Sequence, residues 1–91
     1  MKHFVVTLVF LAGPPTAEVG EAQQVFVAGL HEQGLLLLAG PFTDGRGGMA
    51  VVVHESLEEV QNLYRESPVV RSGSATADVR EWNVLLDATK R

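Results

Sequence analysis

Five apolar residues in a row, Leu35 to Ala39, stand between Gly34 and Gly40, an interval too short for a helix. The run reads as a strand covered on both faces, at the centre of a sheet. What surrounds it must then supply the cover. On its N-terminal side the spacing predicts a helix from Thr16 to about Gln33, capped by the Thr16 hydroxyl, with Glu18 and Glu21 in its first turns and Gly34 at its end. Val19, Ala22, Phe26 and Leu30 recur at intervals of three, four and four and form its apolar stripe. On the C-terminal side, Pro41 to Gly48 is dense in turn formers and Met49 to His54 is β-branched, so the two strands are expected to form a hairpin.

The outer segments complete the pattern. Lys2 to Leu11 reads as a first strand stopped by Gly13-Pro14-Pro15. Its basic start and apolar run also have the outline of a secretory signal. The β-branched Val5, Val6 and Val9 and the single lysine before them favour a buried strand instead. Ser56-Leu57-Glu58-Glu59 is a capping box opening a second helix that runs to about Glu66, buries Leu57, Val60, Leu63 and Tyr64, and is closed by Pro68. The last strand, Ser74 to Leu86, changes parity: Ala75, Ala77 and Val79 are odd, whereas Trp82, Val84 and Leu86 are even. Either a β-bulge near Arg80-Glu81 flips the face, or the segment beyond the flip leaves its sheet for a partner subunit.

The order β-α-β-β-α-β specifies an α+β fold, a ferredoxin-like sandwich in which two helices cover one face of a four-stranded antiparallel sheet. Residues 1–91 form one such domain. Strands Leu35–Ala39 and Ala50–Val53 are apolar at both parities, so the face without helices is expected to pack on the sheet of a second copy in a homodimer or higher homo-oligomer.

Composition removes whole classes of function. The chain has no cysteine, which excludes disulfides, thiolate nucleophiles and iron–sulfur ligation. A net charge of -4 without a basic run argues against nucleic acid and anionic membrane as partners. No segment has the apolar length of a transmembrane helix, and the expectation is a cytoplasmic protein.

Few side chains carry chemistry. His3, His31 and His54 match no metal-binding spacing, and neither metal nor cofactor is implied. Gly45-Arg46-Gly47-Gly48 lies between strands rather than before a helix, which makes it a hairpin turn and not a phosphate loop. Asp44, at the mouth of that hairpin, is either a turn former bonding its own backbone or a general base projecting toward the first helix.

These residues resemble the YCII-related family. The likeness spans the chain, through Met1-Lys2-His3-Phe4-Val5-Val6, Leu30-His31-Glu32-Gln33-Gly34 and Val79-Arg80-Glu81-Trp82, and is most specific in the Leu-rich strand running into Ala39-Gly40-Pro41 with Asp44 three residues on. The resemblance implies a YciI-like member of the dimeric α+β barrel superfamily, which includes muconolactone isomerase. It also implies a histidine–aspartate dyad at a small-molecule cleft. Asp44 matches the aspartate of that dyad; the position of the histidine, eleven residues before Gly34, is Gln23. Glutamine forms hydrogen bonds but does not move protons near neutral pH.

Two functional readings follow. In one, a cofactor-independent lyase or isomerase acts on a small cyclic or aromatic compound, with Asp44 as catalytic base, Gln23 and His3 binding substrate, and Phe26 and Phe42 as apolar wall. In the other, the loss of the histidine leaves a non-catalytic dimer that binds a ligand or serves a structural role. His31 lies eight residues beyond Gln23, roughly 12 Å along the helix and some 80° round it, so His3 is preferred over His31 as a substitute imidazole.

Overall fold

A computed structural model describes residues 1–89. The elements are β1 (Lys2–Phe10), α1 (Ala17–Glu32), β2 (Leu36–Pro41), β3 (Gly47–His54), α2 (Leu57–Arg65), α3 (Pro68–Arg71) and β4 (Ala75–Trp82). The strands form one antiparallel sheet in the order β2-β3-β1-β4. Helices α1 and α2 cover one face, giving the ferredoxin-like α+β architecture expected from the order of elements.

Alternation along the central strands builds the core. Phe4 and Val6 of β1 face the helices, as do Ala50 and Val52 of β3, which pair with them. Leu30 of α1 and Val60 and Tyr64 of α2 close over this layer. Phe26 meets Tyr64 edge to face, ring centroids 5.5 Å apart and planes at 80°, an arrangement the ring quadrupoles favour.

The helix ends follow their local chemistry. Thr16 Oγ1 accepts from the Val19 amide at 3.3 Å, and Gly34 takes φ 76°, a left-handed conformation natural to glycine. Ser56 Oγ accepts from the Glu59 amide at 3.2 Å. The capping box is not reciprocal: the Glu59 carboxylate lies 2.7 Å from His54 Nδ1 instead.

Three expectations require correction. First, β2 is an edge strand and not the centre of the sheet. Leu36 faces the core, and a register shift between Leu36 and Leu38 then leaves Leu37 and Leu38 exposed. The unbroken apolar run therefore records a bulge and an uncovered face, not burial on both sides. Second, β4 carries no bulge, since its register with β1 is continuous from Ala75 to Trp82. Val79 and Ala77 pack on the core, Trp82 stands on the opposite face across from His3, and the chain leaves the sheet after it. The parity change marks two differently apolar faces followed by a strand end. Third, Pro68 does more than close α2: it opens the short α3 at a helical position where its missing amide proton costs nothing.

Candidate functional site

Between α1 and the β2–β3 side of the sheet lies an apolar cleft of about 620 Å³. Small residues on both walls create it. Gly20 and Ala28 present little from the helix, and Gly40, Gly48 and Ala50 present little from the sheet. At Gly48 a β-carbon would come within 2.9 Å of the Gly40 carbonyl oxygen of the neighbouring strand. At Gly47 it would fall onto the Leu8 carbonyl oxygen. Close strand approach therefore forbids side chains at these positions, and this part of the sheet wall stays bare.

The inner wall is set by the α1–α3 contact. Gln23 lies on the inward side of α1, and its Oε1 accepts from Ser67 Oγ at 2.7 Å and from the Val69 amide at 3.3 Å. A backbone amide only donates, so the group facing Val69 must be the oxygen, and this fixes the orientation of the Gln23 amide. Its Nε2 is buried without a hydrogen-bond partner among the described residues. Tyr64, 1% exposed, is a second lining residue, and its hydroxyl is likewise buried and unpartnered. Burial pushes the phenol up to about 12, because the phenolate would lose its hydration there.

Charge is absent from this lining. Among the described residues no Asp, Glu, Lys or Arg contributes to it, and His31 is its only imidazole. The sequence ranking of the histidines is thereby reversed: His31 shares the cleft with Gln23. His3 lines a separate depression of about 280 Å³ with Lys2, Glu81, Trp82 and Asp87, roughly 16 Å from the Leu8 end of β1 at the rise of a strand.

The other sequence candidates lie outside the lining. Asp44 Oδ1 accepts from the Arg46 amide at 2.9 Å, a side-chain turn that shapes the exposed hairpin tip. Phe42 is exposed, and its amide donates to the Gly47 carbonyl at 2.9 Å. Phe26 sits behind the cleft as the ring that packs on Tyr64. Sequence reasoning assigned Tyr64 to the core alone and passed over Ser67. A serine before proline, able to cap or to bond sideways, was the available signal for the latter.

A model of the YCII-related domain matches residues 6–83. The uncharacterised protein YjpA of Bacillus subtilis (strain 168) is 36% identical over 59 residues, covering 65% of this chain and 69% of YjpA. Among solved structures, this chain is similar to 5-chloro-2-hydroxyhydroquinone dehydrochlorinase (TftG) of Burkholderia phenoliruptrix AC1100 in complex with 2,5-dihydroxybenzoquinone. The TM-score is 0.70 at 15% identity, over 89% of this chain and 93% of that one, a likeness of fold. With the family model spanning most of the chain, from β1 to just past β4, this protein belongs to the YCII-related family.

Proposed function

We propose that this protein binds a small cyclic or aromatic compound in the cleft between α1 and the β2–β3 side of the sheet. The observation that carries the reading is the cleft itself. Its volume of about 620 Å³ lies within the roughly 300–1,000 Å³ of small-molecule sites, and its apolar walls with few polar groups are what such sites share. Gln23, in the place of the family's histidine, fixes α3 through its oxygen. It positions and binds rather than transferring a proton.

A second reading, lyase or isomerase chemistry on the same class of compound, is favoured by the dehydrochlorinase activity named for the structural relative. In it Asp44 is the base, and the hairpin must bring its carboxylate from the Arg46 turn toward the cleft. Turnover of lactones and hydroxyquinones by the native protein, raised by Gln23→His and abolished by Asp44→Asn, supports this reading. Ligand binding with no turnover by either native protein or Gln23→His leaves the binding reading alone. Absence of binding across the panel refutes both.

The assembly proposed is a homodimer through the face without helices. Val5, Val9, Met49 and Trp82 project from that face, and the last three are substantially exposed. Leu85 and Leu86, 85% and 93% exposed beyond β4, add apolar surface that a second copy would cover. A monomer in equilibrium sedimentation at micromolar concentration contradicts this.

A further inference from the structure

We infer that the ligand of this cleft is a neutral molecule of the carbonyl class, whose oxygen accepts hydrogen bonds from the Tyr64 hydroxyl and the Gln23 amide nitrogen. The inference rests on the cleft being the binding site and adds what must fill it.

Buried polar groups in folded proteins are almost always paired, and one left without a partner destabilises the fold. Among the described residues two such side-chain atoms are left, Gln23 Nε2 and Tyr64 Oη. They come from different helices, yet both residues line the same cleft. Their chemistry also agrees. The Gln23 orientation set by the Val69 amide leaves a nitrogen that only donates. The Tyr64 phenol keeps its proton throughout the neutral range, since burial holds it well above ordinary tyrosine, and so it too has a proton to give. A single carbonyl oxygen has two lone pairs and can take one bond from each.

Charge narrows the class further. A carboxylate or phosphate entering this cleft would shed water without meeting a lysine or arginine, since none lines it among the described residues. A neutral ketone, lactone or quinone loses far less. Both orphan atoms are shielded from water, so a side-chain adjustment must open them to the cleft as the carbonyl engages. In that dry setting the bonds formed are stronger than at a surface.

The test uses three ligands of one shape: acetophenone, its carbon isostere α-methylstyrene, which lacks the acceptor, and benzoate, which is charged. Affinities are measured by heteronuclear NMR titration on the native protein and on Tyr64→Phe. The native protein is expected to prefer acetophenone to α-methylstyrene by about tenfold or more, as one or two buried hydrogen bonds provide, and to bind benzoate more weakly than acetophenone. Tyr64→Phe should lower the preference by about tenfold or abolish it, with affinity for α-methylstyrene unchanged. Gln23→Met removes the donor with little change of volume and no charge, and should act in the same direction; it serves if Tyr64→Phe proves unfolded. Equal native affinities for acetophenone and α-methylstyrene, tighter binding of benzoate, or a preference that survives both substitutions overturns the inference while leaving the cleft as a binding site. Binding of none of the three overturns the cleft reading and this inference together.

Discussion

Raising the pH through the alkaline range perturbs one buried group in a way that can be followed residue-specifically. Tyr64 is the only tyrosine in the chain, so tyrosinate absorbance in the near ultraviolet reports it alone. Its phenol is raised from 10.0 to about 12 in the folded protein by desolvation. The neutral form is thus the one the fold prefers. Below the unfolded value both states hold the proton and the full stability is present. Above it the unfolded chain ionises first, and stability falls until the folded value is passed. Two pH units at 1.36 kcal/mol each make the loss about 2–3 kcal/mol, which for a domain of this size lowers Tm by roughly 10–20 °C. Tyr64→Phe is the control. Subtracting the melting curves of the variant from those of the native protein isolates the phenol from every other alkaline ionisation. Because its hydroxyl is buried without a partner, the variant should be at least as stable as the native protein at neutral pH. The reasoning is refuted by a tyrosinate midpoint near 10 in the folded protein, by equal alkaline loss in the variant, or by neutral-pH destabilisation of the variant beyond about 1 kcal/mol, which would mean that the hydroxyl is paired.

The remaining expectations concern the packing that shapes the cleft and the face behind it. Gln23→Leu should cost about 2–3 kcal/mol in denaturant unfolding, because it strands the fully buried Ser67 hydroxyl and the Val69 amide. Gly47→Ala should destabilise by about 3 kcal/mol or more, or fail to fold, since the new β-carbon meets backbone and not a movable side chain; a loss under 1 kcal/mol contradicts the strand spacing. Trp82, the single tryptophan, lies on the proposed dimer face and is half-exposed. Its emission should shift to the red on dilution through the dissociation range, and concentration-independent emission argues against that face as the interface.

What was legible in the sequence was mostly local. Thr16, Ser56, Gly34 and Pro68 announce helix ends through chemistry that acts within a few residues, and the structure places helix ends at each. The order of elements sufficed for the ferredoxin-like fold. Strand position within the sheet was less accessible, because an apolar run looks alike whether both its faces are buried or one is uncovered and a bulge intervenes, as at Leu36–Leu38. The helix-one stripe was read with Ala22 on it, yet Ala22 is exposed and the polar Gln23 turns inward to Ser67. No periodicity argument selects a glutamine for an inner face. The part Tyr64 plays in the cleft was out of reach for a related reason: Tyr64 is apolar in pattern, and only its surroundings reveal that its hydroxyl finds no partner.

The glycines of the sheet wall have an evolutionary consequence. A cavity lined by replaceable side chains can be lost through a run of single enlargements, each tolerated by the fold. At Gly47 and Gly48 that route is closed, because a larger residue would collide with Leu8 or Gly40 backbone across the strand pair. Selection for folding alone therefore preserves much of the cleft floor, and descendants of such a chain would inherit a standing concavity even after its original ligand had ceased to matter. Specificity would then change by substitution on the α1 side, as at Gln23, over a wall that the β-sheet itself keeps open.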